Sequence, residues 1–237
     1  MVNKRLRDGS GAVGMTEPND PERALALSYA AADRRAGLTA LLALDDTLGQ
    51  ILRTTREPMV GQMRLTWWYE ALCALDNAPP PAQPVLQALA TEVVARGVSG
   101  SALAGLVDGW EILLDPDPLD PDMLDSYAAQ RGGRLFALAG QVLGAASADP
   151  LTDAGAGWAL ADLARHSRNS QAAKAPAAHA KIALHAAMQR RWSRAVRSLG
   201  ALALIAQMDL AVAHGTSRSV TSPRRIARLG WHRLTGG

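Results

Sequence analysis

Residues 38–52 read Leu-Thr-Ala-Leu-Leu-Ala-Leu-Asp-Asp-Thr-Leu-Gly-Gln-Ile-Leu, and residues 57–72 read Glu-Pro-Met-Val-Gly-Gln-Met-Arg-Leu-Thr-Trp-Trp-Tyr-Glu-Ala-Leu. In the first stretch Leu38, Leu41, Leu44, Leu48 and Ile51 recur at spacings of three and four, the period of a helix with one apolar face. In the second, Met59, Met63, Trp67, Ala71 and Ala74 repeat the same spacing, and a helix is expected from Glu57 to about Leu75. Neighbouring side chains on a helix diverge by about 100°. One of Trp67 and Trp68 should therefore enter a core while the other meets a partner helix or a cavity.

The rest of the chain agrees with these two segments. Alanine supplies 46 of the 237 residues and aromatics only 4%, a balance that favours helix over strand. No stretch alternates apolar and polar residues, and no repeat or heptad array is present. The expected architecture is all-α: a single helical-bundle domain of eight or so helices over 19–215, after a disordered lead-in (1–18) and before a basic C-terminal tail (216–237). Asp20-Pro21-Glu22 marks a first helix, to about Ala32, with Gly37 separating it from the second. Further helices are expected from Pro84, from Ser99 or Ser101, over Met123–Leu143 with Gly144 as its cap, from Leu151 to Ala164, and from Ala177 to His214, broken near Gly200. A short basic helix is expected within Arg224–Leu234. Gly132-Gly133 suits a close helix approach or a kink.

Charge is divided unevenly. Residues 163–237 hold 13 Lys and Arg against a single acid, Asp209, whereas residues 1–162 hold 12 against 21. A basic third calls for either a solvated arginine-rich face or an anionic partner such as phosphate, an anionic lipid surface or nucleic acid. Nucleic acid fits least well, since no recognition motif accompanies the arginines. No apolar run approaches the ~20 residues of a spanning helix. Met1–Gly14 is basic and glycine-rich without the apolar stretch of a secretory signal. The expected location is cytoplasmic, with peripheral contact at a membrane.

Several chemistries are excluded. Cys73, the only cysteine, permits neither an intrachain disulfide nor a thiolate cluster and reads as a core thiol. The five histidines form no metal-binding pair. The acidic run Asp115–Asp122 has Asp120 and Ser126 where a calcium loop needs Gly and Glu, so it reads as a loop whose aspartates cap helices. Asp45-Asp46 is the acidic pair best placed to flank a groove and hold Mg²⁺. Glu57 and Arg64 keep a polar pocket open beside the tryptophans.

These residues resemble the squalene/phytoene synthase family. The similarity is strongest over Arg34–Leu72 and looser in Tyr127-Ala-Ala-Gln-Arg-Gly-Gly-Arg-Leu and Gly157-Trp-Ala-Leu-Ala-Asp-Leu-Ala-Arg165. The resemblance implies the isoprenoid-synthase fold, here shortened at its C-terminal helices. It also implies head-to-head condensation of prenyl diphosphates, with two aspartate-rich motifs holding Mg²⁺. The implied groove-lining set is Glu57, Arg64, Trp67, Trp68, Asp162 and Arg165.

The metal motifs themselves do not carry over. The first falls on Gly49, Gln50 and Arg53, with Asp45-Asp46 one turn earlier. The second begins at Arg165 and falls on His166 and Ser170, with Asp162 where the family usually has Asn. This pattern, with the Glu-Pro…Met-Arg-Leu…Trp-Trp block, resembles a degenerate branch that includes a mitochondrial assembly factor for respiratory complex I. The resemblance implies a binding or assembly role without prenyl transfer, without a cofactor, and against an anionic membrane or membrane-complex subunits. The alternative is an active prenyltransferase using Asp45, Asp46, Arg64 and Arg165, with Mg²⁺ on the two aspartates and prenyl diphosphates as substrates.

Overall fold

A computed structural model describes residues 21–55, 57–115, 119–167, 169–212 and 222–237. Its helices are α1 (Pro21–Leu27), α2 (Ala32–Thr54), α3 (Pro58–Ala74), α4 (Pro84–Glu92), α5 (Gly100–Glu111), α6 (Pro121–Tyr127), α7 (Arg134–Leu143), α8 (Leu151–His166), α9 (Lys174–Met188), α10 (Arg197–Asp209) and α11 (Pro223–Thr235). A π-helical turn, Ala128–Gly133, joins α6 to α7. Among the described residues there is no strand, and no helix is long and apolar enough to cross a membrane. The proposed lead-in, Asp20 and residues 216–221 of the expected tail lie outside the described residues, as do 116–118 of the acidic loop.

Local chemistry sets the helix ends. Proline opens α3, α4, α6 and α11 at the position where a missing N–H costs nothing. Ser99 and Asp120 accept hydrogen bonds from the backbone N–H groups of Ala102 and Met123, capping α5 and α6. Gly144, with φ of 82°, ends α7 in the left-handed conformation expected of a glycine cap.

Three boundaries differ from expectation. The first break falls at 28–31, and Gly37 lies inside α2, where a Cβ would press on the Glu92 carbonyl. Its lack of side chain serves the approach of α4 and does not interrupt the helix. The C-terminal break falls between Met188 and Arg197, while Gly200 is buried within α10. The Met123–Leu143 segment begins at Pro121 and is interrupted by the π turn.

The core is built around α2 and α10. Leu38, Leu41, Leu44 and Leu48 of α2 are fully buried, and α10 is buried almost throughout, from Ser198 to Ala206. On α3 the buried face is Gly61, Leu65, Trp68 and Leu72, turned toward α5. The more regular row Met59, Met63 and Trp67 faces outward. Periodicity identified the helix but not its inner face, because α3 is apolar on two sides. Cys73 is half-buried and packs against the core.

The described part of the segment expected as a tail, 222–237, is folded onto the body. Leu229 and His232 of α11 are buried against α10. Backbone N–H of Trp192 donates to the Gly236 carbonyl (2.8 Å), and Arg197 Nη1 donates to the carbonyls of Arg233 (2.6 Å) and Leu234 (3.1 Å). His232 stands edge-on to Trp192 at 6.1 Å between ring centroids. Burial pushes its pKa down to about 4. In the unfolded chain a histidine titrates near 6.5, so between those values the unfolded state binds a proton that the folded state refuses. Stability is full above about pH 6.5 and falls as the pH drops toward 4, by about 3 kcal/mol in total. Urea midpoints at pH 7 and pH 4.5 should show this loss in the native chain and a flatter dependence in His232→Gln. An undiminished slope in the variant would assign the loss to other groups.

Candidate functional site

The site forms where the π turn passes between α2, α5 and α8. Its central residue is Arg131, 3% exposed. A π turn inserts an extra residue into a helix and re-aims the side chains around it. Two close approaches hold this one in place. Gly109 of α5 lies against the Arg131 backbone, and Gly132 lies against the Gly155 carbonyl of α8.

Arg131 reaches two carboxylates from different helices. Its Nε and Nη2 donate to Asp45 Oδ1 (2.9 Å) and Oδ2 (2.8 Å) on α2, a bidentate pair. Nη1 donates to Asp162 Oδ2 on α8 (2.9 Å) and to the Tyr127 hydroxyl. The guanidinium lies 3.9 Å from the Trp110 ring centroid and 5.0 Å from that of Trp158, a cation–π arrangement on two sides. Trp110 also donates through Nε1 to Asp45 Oδ1 (3.1 Å), and it reaches α2 because Gly49 has no Cβ to obstruct its ring.

Electrostatics follow from this geometry. Burial alone would lower the pKa of Arg131, but the charge of Asp45, with Tyr127 and Asp162, raises it well above the usual value. Burial would raise Asp162, yet Arg131 and then His166 and Arg165 hold it far below the usual carboxylate range. Burial raises Tyr127, which stays a neutral phenol. Arg131 is therefore a fixed cation beside a fixed anion at Asp162.

The network continues outward. Asp162 Oδ1 accepts from Arg165 Nη2 (2.9 Å), and Arg165 Nη1 stands 3.5 Å from Asp209 of α10. Asp209 Oδ1 accepts from Arg225 of α11 (2.8 Å), whose Nε donates to Glu22 Oε1 of α1 (2.7 Å). Hydrogen bonds donated to Glu22 are the main reason the Arg225 pKa is raised. A continuous file of alternating charge thus connects α2, the π turn, α8, α10, α11 and α1.

The residues singled out from sequence divide among separate places. Asp45 and Asp46 do not flank one groove. Asp45 points into the core, and Asp46 points out to Arg23 of α1, which pairs with both its oxygens (3.0 and 2.7 Å). Their 100° divergence set them on opposite sides of the α2 surface. Asp162 and Arg165 are together in the network. Arg64 donates to Thr54 and Thr55 hydroxyls at the end of α2 (3.4 and 3.1 Å), and Glu57 and Trp67 are exposed on α3. Trp68 is buried, as one of the adjacent pair was expected to be, and stands edge-on at 5.4 Å to Trp67, which is exposed and not set in a cavity. Arg131, Trp110, Trp158, Asp209 and Arg225 were not anticipated. The segment Tyr127-Ala-Ala-Gln-Arg131-Gly-Gly did carry a signal: an arginine one turn from a tyrosine and beside two glycines.

The carboxylates do not fit Mg²⁺. All four oxygens of Asp45 and Asp162 accept from Arg131, Trp110 or Arg165. A hard cation needs several free oxygens in near-octahedral array. Among the described residues no three acidic, histidine or cysteine side chains converge as a metal site.

Known proteins resemble this chain in sequence and in shape. The squalene/phytoene synthase family profile matches residues 16–174. The chain belongs to the squalene/phytoene synthase family. No curated protein matches its sequence. A solved structure, a dehydrosqualene synthase in complex with ligand, is 13% identical with a TM-score of 0.68, over 91% of each chain. That likeness establishes the all-α isoprenoid-synthase fold for this family member. The expected shortening at the C-terminal helices is not apparent against that structure.

Proposed function

We propose that this squalene/phytoene synthase family member is a binding or assembly protein at a membrane surface, without prenyl-transfer activity. The observation that carries the reading is Arg131, which joins Asp45 of α2 to Asp162 of α8. Departure of a diphosphate leaving group depends on cations that neutralise it. Here Asp45 and Asp46, the carboxylates that would recruit those cations, are already paired with Arg131 and Arg23 of the chain itself. The aromatic rings of Trp110 and Trp158 are likewise committed to that guanidinium. What remains is a rigid helical body with an acidic larger part and a basic third, suited to holding an anionic partner.

The test is direct. Purified protein with Mg²⁺ and farnesyl or geranylgeranyl diphosphate should release no pyrophosphate above the protein-free rate. Turnover that Asp45→Asn abolishes would establish the prenyltransferase instead.

A further inference from the structure

We infer that the outward face of α11 docks on an anionic phospholipid bilayer. The inference deepens the membrane-side role proposed above and rests on it. Helix α11 is amphipathic twice over. Its inner face, Arg225, Leu229 and His232, is fixed to α1 and α10 by the Arg225 ion pairs, and the Arg197 and Trp192 backbone contacts fix its C-terminal end. The opposite face is therefore held outward in a set orientation.

That face combines two chemistries. Ala227, Trp231 and Leu234 fall at i, i+4 and i+7 and make one apolar strip. Trp231 is 64% exposed and Leu234 76%, with Ile226 half-exposed on the flank. At 100° per residue Arg224 and Arg228 border one edge of the strip and Arg233 the other. All three arginines are exposed. Among the described residues, neither Arg224 nor Arg228 has an acidic partner. An open groove of ≈ 570 Å³ lies alongside, between α11 and Met188, Leu204 and Gln207, with Arg228 and Trp231 on its rim.

Tryptophan and leucine in a strip bordered by arginine is the pattern of a helix lying in the plane of a bilayer surface. The apolar strip enters the acyl boundary and the cations remain among the phosphates. Along α11 itself the charge is of one sign, since residues 222–237 hold no acid, and Glu22 and Asp209 beside its inner face are engaged by Arg225. A nucleic acid would satisfy the arginines but leave Leu234 and Ile226 in water.

Co-sedimentation of the full chain with vesicles tests this. The protein should bind mixed phosphatidylserine–phosphatidylcholine vesicles, not pure phosphatidylcholine, and salt should release it. Binding should fall by about tenfold or more in Arg224→Glu/Arg228→Glu and in Trp231→Ser/Leu234→Ser. Met59→Ser/Met63→Ser, on the exposed strip of α3, should bind as the native chain does. Unchanged helicity and melting of each variant exclude loss of fold. If the native chain binds and the α11 variants bind equally, α11 is not the contact, although the membrane role stands. If the native chain does not bind, both fall. Binding to DNA or RNA that needs the same arginines, in place of vesicles, overturns the lipid assignment.

Discussion

Replacing Arg131 with methionine should cost about 3–5 kcal/mol of stability. The cost comes from what is left behind. Asp45 is 3% exposed, and without Arg131 it retains only the Trp110 N–H for a full negative charge in a place water does not reach. Arg131→Lys should recover little, because a single ammonium cannot pair both Asp45 oxygens and also reach Asp162. Adding Asp45→Asn to Arg131→Met removes the stranded charge while keeping an acceptor for Trp110, and about half of the loss should return. Urea unfolding of the four proteins measures this. Equal destabilisation in the single and double variants would show that packing of the guanidinium against the tryptophans, not charge pairing, dominates.

Gly132→Val should be nearly as damaging, at about 3 kcal/mol. A Cβ on Gly132 would fall inside the Gly155 carbonyl, and one on Gly155 would fall inside the Gly132 carbonyl. The obstruction is backbone on both sides, so no side chain can rotate away. The two segments would have to separate, and Arg131 would move with them. Gly133 provides the contrast. A Cβ there meets the Thr152 methyl at 3.3 Å and its carbonyl at 3.5 Å, a contact that a small shift accommodates. The gain in helix propensity of about 1 kcal/mol should leave Gly133→Ala near neutral. Thermal melts of the two variants separate them, and a tolerated Gly132→Val would mean that the π turn can slide along α8.

These two positions also show where the sequence was legible. The helical period, the proline and serine starts and the Gly144 cap are local properties, and they placed most of the helices. The glycine pair 132–133 was readable as a close approach, but not its partner Gly155, more than twenty residues away. Asp45 and Asp162 were visible as acids, one a turn before the first motif and the other where the family usually has Asn. Their meaning depended on Arg131, which reaches both only because the extra residue of a π turn aims it inward. A π turn leaves no compositional trace, and it was the element that reorganised the site. The row Met59–Met63–Trp67 misled for a related reason: a helix apolar on two faces gives a clear period and no direction.

The file of charges also bears on how the chain reaches this structure. Glu22 and Arg225 are 203 positions apart, so of the two ion-paired anchors of α1 the Arg23–Asp46 pair to α2 can form early and the Glu22–Arg225 pair only once α11 exists. During synthesis α2 to α8 can collapse around their leucines before α11 leaves the ribosome. Contacts of such sequence separation are slow to form and leave intermediates exposed in the meantime. Closure of the Glu22–Arg225–Asp209 contact is thus a late, long-range step that locks α1 to α10 and α11.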